Sequence, residues 1–398
     1  MQDPYDWLAP ALKTIHRAHW YRQPQCSTCQ GAIAMVQGRE LINFASNNYL
    51  GLANHPEVIQ AGQNALEIWG TGATGSRLLT GHRQIHQELE QALATFKGTE
   101  AALVFSSGYL ANLGAIAAVV DQRDLILGDR YNHSSLKNGA KLSGAKTIDY
   151  PHLDIAALEQ LLHHHRHQYR RCLIVTDSLF SMDGDLAPIP KLLKVAQDFQ
   201  AMVLVDEAHA TGVFGPRGSG WIEQVNCSGQ PLIQVGTLSK ALGSLGGYVA
   251  GSQMLIEFIR HRAATWVYST ALSPADTAAA LAALNVIQNN NQPRENLWQR
   301  IDQLHHGLKK LDRLHNPSLT PGIPSPIVCL TAPDAQTALA WSRTLGDLGL
   351  WVSGIRPPTV PHSRLRISLM ANHTKAHIEA LLAGLEQLLP SGGTGCLE

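Results

Sequence analysis

Neither charge is in excess in this 398-residue chain: 31 lysines and arginines stand against 31 aspartates and glutamates, a formal net charge of zero. That argues against nucleic acid or an anionic membrane surface as partner, since both call for a basic surplus. Long apolar runs are missing too. The longest, LANLGAIAAVV (110–120), is too short to span a bilayer and carries Asn and Gly, so it reads as a buried core helix. The start, MQDPYDWLAPALKTIHRAHWYR, lacks the basic head and apolar stretch of a secretory signal. Six cysteines are too few for a disulfide framework. These absences point to a cytoplasmic protein with no membrane contact. No GxxxxGK followed by Ser or Thr occurs, so the DEAH at 206–209 is not part of a P-loop ATPase.

Two fragments look metal-binding. One is the Cys-x-x-Cys of Cys26 and Cys29, the other the histidine-rich LLHHHRHQYRR (161–171). No second ligand pair lies near the first at zinc spacing, and the second reads as the polar end of a surface helix beginning at Ile155. No metal is expected.

What is present is a globular balance, 44% apolar and only 16% charged residues. From 46 to 285 helix-like stretches alternate with short apolar runs: AALVF (101–105), DLILGD (124–129), RCLIVTDS (171–178), AMVLVDEAH (201–209), LIQVGTLS (232–239) and GYVAGS (247–252). Apolar runs closed by polar residues or glycine are strands buried on both faces, and most of the gaps hold a helix. The expected fold is α/β, a mainly parallel, helix-covered sheet. After the polar QNNNQPR (288–294) come strands in SPIVCLTA (325–332) and SRLRISLM (363–370) and a helix over 335–349, a smaller α+β domain. The first 45 residues, a helix and the strand pair AIAMVQGRELINF, are expected to pack on it. The expected division is a large domain over 46–285 and a small one made of 1–45 and 286–398.

Ligands of doubly wound sheets bind beyond the carboxyl ends of the strands. There AALVF runs into Ser106-Ser107-Gly108-Tyr109, a small-residue turn whose backbone N–H groups can hold a phosphate at a helix start. DLILGD leads to His133, RCLIVTDS to Ser181, AMVLV to Asp206-Glu207-Ala208-His209, and LIQVG to Thr237-Leu238-Ser239-Lys240. The last opens GTLSKALGSLGGYVAG (236–251), where Lys240 is the one charged residue among five glycines. Each piece alone has a bland reading: a solitary histidine is usually a surface or core residue, and an Asp at a strand end can cap a helix. Together they ask for a ligand with a phosphate, a basic ring nitrogen and an aldehyde. Pyridoxal 5'-phosphate has all three, with Lys240 as its Schiff-base lysine and Asp206 on the ring nitrogen. An apolar, glycine-rich setting lets Lys240 lose its proton and attack a carbonyl. Thr237 can offer its hydroxyl to the phosphate.

DSLFSMDGDLAPI (177–189), VDEAHATGVFG (205–215) and GTLSKALGSLGGYVAGS (236–252) resemble the α-oxoamine synthases, fold-type I pyridoxal-phosphate enzymes. The likeness takes in FASNNYLGL (44–52), GTGATGSRLLTG (70–81), VFSSGYLANLG (104–114), DRYNHSSLKNG (129–139) and YSTALSP (268–274), and so most of the chain. It implies that Lys240 anchors the cofactor and moves the substrate's α-proton, while Asp206 meets the ring nitrogen and His209 the ring's phenolic oxygen. His133 would stack on the ring. Gly108, Tyr109 and Thr237 would hold the phosphate, and Ser181 would line the site. Ser269 and Thr270 would reach the phosphate of a neighbouring subunit, giving a homodimer with shared active sites. On the substrate side, Arg356 would clamp the amino-acid carboxylate, with Thr359 and Asn47 nearby. An N-terminal arginine would contact the acyl group; Arg22 is the better match and Arg17 competes. PHSRLR (361–366) is shorter than the family's loop, which leaves the setting of Arg364 open.

IRPPTVP (355–361) resembles the biotin-pathway member of the family. That implies condensation of L-alanine with a pimeloyl thioester, on coenzyme A or an acyl-carrier protein, with loss of CO2. One rival is a relative using glycine and acetyl-CoA. Another, from a different class, is a non-catalytic partner subunit on the same fold, which should have lost the lysine, whereas Lys240, Asp206 and His209 are all present.

Overall fold

The computed structural model describes residues 3–315 and 322–388. The chain divides into two compact units, one of Met1–Asn47, Met182–Gly184 and Glu295–Glu398, the other of Asn48–Ser181 and Asp185–Arg294. The division departs from the expected 46–285 at three places, the first being its start at Asn48. Helix Pro274–Asn289 packs along helix Pro56–Trp69 and carries the larger unit on to Arg294. Met182–Gly184 leave it, because the Gly184 carbonyl accepts from Ser325 Oγ at 3.1 Å and Asp183 pairs with Arg364.

A seven-stranded sheet organises the larger unit, in the order Ala101–Phe105, Gly247–Gly251, Ile233–Thr237, Met202–Asp206, Cys172–Asp177, Leu125–Asp129 and Lys146–Tyr150. Strand Gly247–Gly251 runs antiparallel to both neighbours; the pairs from Ile233–Thr237 onward are parallel. Every residue of Leu125–Asp129, Cys172–Asp177, Ile233–Thr237 and Gly247–Gly251 is buried, which is why these runs are apolar almost end to end. Alternate residues feed opposite cores: Leu173, Val175 and Leu204 join Ile116 and Leu136, while Ile174, Val203 and Val205 join Leu158 and Leu192. Each such Leu, Ile or Val stabilises the fold by about 1.5–3 kcal/mol. Lys146–Tyr150 is the edge strand beside Leu125–Asp129; only Tyr150 is buried, so no apolar run marks it.

Register aligns the strand ends. Asp177 lies opposite Asp206, and Gly247 stands between Phe105 and Thr237. The polar strand ends therefore share one edge of the sheet.

In the smaller unit Ser27–Gln30, Ile33–Val36 and Arg39–Asn43 form an antiparallel meander, extended in parallel by Leu350–Trp351. A second sheet orders Ile327–Thr331, Arg364–Ser368 and Ser353–Ile355, all antiparallel. The short 361–366 loop leaves Arg364 buried, in an ion pair with Asp183. Cys26 and Cys29 are exposed free thiols. Among the described residues no helix is long and apolar enough to cross a membrane, and no three His, Cys, Asp or Glu side chains gather where a metal ion could bind.

Candidate active site

Strand Met202–Asp206 ends on Asp206, 5% exposed. One carboxylate oxygen accepts from Asn112 Nδ2 at 2.6 Å and the other from the Ala208 N–H at 2.8 Å. His209 follows on the same turn. Its Nδ1 lies 2.6 Å from the buried Tyr49 hydroxyl and its Nε2 2.7 Å from Lys240 Nζ. Lys240 comes from the next strand over: Ile233–Thr237 ends, and the chain turns through Gly243 at φ 65°. A Cβ on Gly243 would stand 2.3 Å from the Ala53 nitrogen, so glycine is required there.

His133 caps helix Ser134–Ser143 after strand Leu125–Asp129. Its N–H donates to Asp177 Oδ2 at 2.7 Å. Its Nδ1 accepts from the Ser135 N–H at 3.3 Å and lies 2.7 Å from the Ser135 hydroxyl, which fixes the ring proton on Nε2. Asn112 Nδ2 also reaches Ser135 Oγ at 2.9 Å, tying Asp206 to His133 through one amide. Burial holds the His133 pKa below its ordinary 6.5, opposed by Asp206 and reinforced by Lys240. Burial, and then Asp206, push the Asp177 carboxyl well above the usual carboxylate range.

A phosphate cradle lies where three elements meet. Helix Gly108–Val119 starts beneath Ser107, whose Oγ accepts from the Leu110 N–H at 3.1 Å. A Cβ on Gly247 would lie 2.4 Å from Gly108 Cα, and one on Gly108 would lie 3.2 Å from Thr237 Cβ. Bare glycines thus let strand end and helix start touch, leaving the first-turn N–H groups of Gly108 and Tyr109 as anion donors. The Thr237 hydroxyl donates to the Gly246 carbonyl at 2.9 Å and sits 2.7 Å from Ser239 Oγ. Tyr109 stands edge-on to the His133 ring, centroids 6.4 Å apart. The Thr270 carbonyl accepts from Ser106 Oγ at 3.2 Å, which brings the Ser269–Thr270 segment beside the cradle. Ser181, half-buried, lies in the loop after Cys172–Asp177. Lysine, buried carboxylate and glycine-lined helix start fit a phosphate-bearing pyridine aldehyde. A cavity of about 510 Å³ at the opposite edge of the sheet, lined by Gly98, Glu100, Gln230 and Gly251, touches none of these residues.

The remaining candidates lie in the smaller unit. Arg22 donates to Thr359 Oγ1 at 2.7 Å, while Arg17 is exposed on helix Leu8–Arg17. Arg356 donates to the carbonyls of His19, Tyr21 and Gly354. Burial, and then the charge of Arg22, lower its pKa. Asn47 accepts from Arg366 Nη2 at 3.0 Å, and Arg366 is buried. Sequence reasoning missed Arg366, Tyr49, Asn112, Ser135, Asp177 and Ser239. For Arg366 a signal existed: two arginines in a five-residue strand with no exposed position.

The model of the class I and II aminotransferase family matches residues 39–385. A relative from Thermosynechococcus vestitus, provisionally named 8-amino-7-oxononanoate synthase, is 59% identical over 391 residues, covering 98% of this chain and 99% of its own. Serine palmitoyltransferase from S. paucimobilis, solved with pyridoxal phosphate and myriocin bound, aligns with a TM-score of 0.90 at 32% identity over 97% of this chain and 98% of its own. For 8-amino-7-oxononanoate synthase from Francisella tularensis the TM-score is 0.74 at 30% identity, over 87% and 97%. Fold and site define a fold-type I pyridoxal-phosphate-dependent enzyme. The chain belongs to the class I and II aminotransferase family and, within it, to the 8-amino-7-oxononanoate synthases, acyl-transferring enzymes of the α-oxoamine group.

Proposed function

We propose that this enzyme condenses L-alanine with a pimeloyl thioester, on coenzyme A or an acyl-carrier protein, to give 8-amino-7-oxononanoate, CO2 and the free thiol, a step of biotin synthesis in the cytoplasm. Carbon bookkeeping supports the substrates. A seven-carbon acyl group joined to a three-carbon amino acid, less one carbon as CO2, leaves the nine-carbon product in the relatives' name. The observation that carries the chemistry is Lys240 Nζ at 2.7 Å from His209 Nε2, on the turn that Asp206 begins.

Bound here, pyridoxal phosphate supplies a carbonyl for the amino acid's nitrogen and a ring that accepts the electrons left at Cα. Asp206 would hold a proton on the ring nitrogen, and His209 would meet the ring oxygen. Lys240 removes and returns the proton at Cα, which needs an uncharged amine in a small-residue turn. His133, neutral with its proton on Nε2, is a donor for the oxygen that gains charge when the thioester carbon is attacked. Gly108, Tyr109, Thr237 and Ser239 would hold the phosphate, and Ser181 would line the site.

Two arginines compete for the amino-acid carboxylate. The guanidinium of Arg356 already donates to three main-chain carbonyls. Arg366, buried, donates to two side-chain oxygens, Asn47 Oδ1 at 3.0 Å and Ser368 Oγ at 2.9 Å, partners that can rotate away and leave the fork to a bidentate carboxylate. The neighbouring charges of Arg22 and Arg356, with Thr359, suit the free carboxylate at the far end of a pimeloyl group. The enzyme acts as a homodimer, Ser269 and Thr270 completing the partner's phosphate site. Leu79 and Tyr268, 82% and 87% exposed near the Ser76–Thr270 bridge, support a covered surface there.

The test is turnover by the cofactor-loaded enzyme, following CO2 and the amino ketone. Alanine with pimeloyl-CoA is expected to exceed glycine with acetyl-CoA by about 100-fold in kcat/KM. Equal or faster turnover of the second pair would overturn the substrate reading.

A further inference from the structure

Asp177 has no part in the chemistry above, yet it ends its strand directly opposite Asp206, the two being register partners of a parallel pair. Paired positions on neighbouring strands point to the same face, and such strands lie about 4.8 Å apart. Two carboxylates therefore sit side by side, 3% and 5% exposed. Buried at that spacing they do not both ionise; one proton stays with the pair, on the member whose charge is less well supported. Hydrogen bonds decide which. Asp206 accepts on both oxygens, from Asn112 at 2.6 Å and Ala208 at 2.8 Å. Asp177 accepts from the His133 N–H at 2.7 Å on Oδ2. Around Asp177 stand Asp206, Asp129 and Tyr150, with Lys240 and His133 as the basic groups. Burial and the Asp206 charge favour its neutral form, against Lys240 and the His133 N–H.

We propose that Asp177 is a protonated, neutral positioning residue. It takes the proton the pair must hold, so that no second negative charge stands beside Asp206 where the cofactor's ring nitrogen would lie, and its Oδ2 fixes the main chain of His133. The consequence for the ring nitrogen rests on the cofactor reading above; the place of the proton does not.

Infrared spectra at neutral pH, with and without carbon-13 in the aspartate carboxyls, test this on the cofactor-loaded and the cofactor-free protein. Wild type is expected to show a label-sensitive carboxylic-acid C=O stretch in both forms. Asp177→Asn, whose amide keeps the shape and still accepts from His133, is expected to lose it. No such band in wild type, a result that needs no variant to fold, or the same band in Asp177→Asn would overturn the proposal. The pH at which the bound cofactor's absorbance titrates gives a second reading. Exchange of a neutral acid for a neutral amide leaves it in place, whereas removing a charge beside Asp206 would move it by about one unit or more, and a shift of that size also overturns the proposal. Neither reading uses a substrate, so failure of the alanine and pimeloyl assignment leaves both intact.

Discussion

Lys240, Asp206 and His209 could be read from the sequence because each closes or follows a buried strand within its own short motif. The residues that orient them could not. Asn112 looks like one polar residue in the apolar helix LANLG, and Tyr49 like part of a polar turn; only folding brings them within 2.6 Å of Asp206 and His209. Asp177 opens the motif DSLFSMDGDLAPI, but its pairing with Asp206 depends on strand register, which local sequence does not state. His152 is a residue of the same hidden kind and gives a pH prediction. Its ring lies 2.9 Å from Asp129 and 3.2 Å from Asp185. Burial pulls its pKa down, but the bonds and charges of the two aspartates outweigh that and raise it from 6.5 to about 9. A folded-state pKa above the unfolded one stabilises fully below about pH 6.5, and that contribution is lost as pH rises through about 9. In denaturant unfolding, wild type should exceed His152→Gln by about 1 kcal/mol near pH 6, an amount reduced by solvent screening. The gap should close by about pH 10. A gap independent of pH would contradict the assignment.

At the scale of elements, the inner strands were legible because burial on both faces makes them apolar runs. Lys146–Tyr150 was not, since an edge strand with one buried residue needs no such run. The direction of Gly247–Gly251 was missed as well, although a clue was present: Leu238–Gly246 is shorter than the dozen or so residues a parallel crossover needs. The polar 288–294 stretch marks the domain boundary, but not that helix Pro274–Asn289 stays with the larger unit. The antiparallel strand matters to the site because it drives Gly247 against Gly108. In Gly247→Ala the new Cβ meets backbone 2.4 Å away and has to displace the cradle. Overpacking of about 1–3 kcal/mol should raise the cofactor's dissociation constant about tenfold or more. Gly346→Ala, on helix Ala335–Asp347 where a Cβ meets nothing within 4 Å, should leave it unchanged. Equal effects from the two in an absorbance titration would count against the cradle.

Taken as a whole, the molecule sorts its candidate chemistry by unit. The larger unit gathers the lysine, the acid–histidine turn, His133 and the phosphate cradle at one sheet edge. The smaller gathers Arg22, Arg356 and Thr359 in one cluster and Asn47 with Arg366 in another. Zero net charge is consistent with small-molecule chemistry and leaves recognition to such local clusters. The proposed chemistry depends on one covalent anchor. Borohydride reduction of the cofactor-loaded protein, followed by peptide mapping, tests it most directly. The reduced cofactor should be fixed to Lys240, and Lys240→Ala should retain none; a label on any other lysine, or one that persists in that variant, would contradict this assignment.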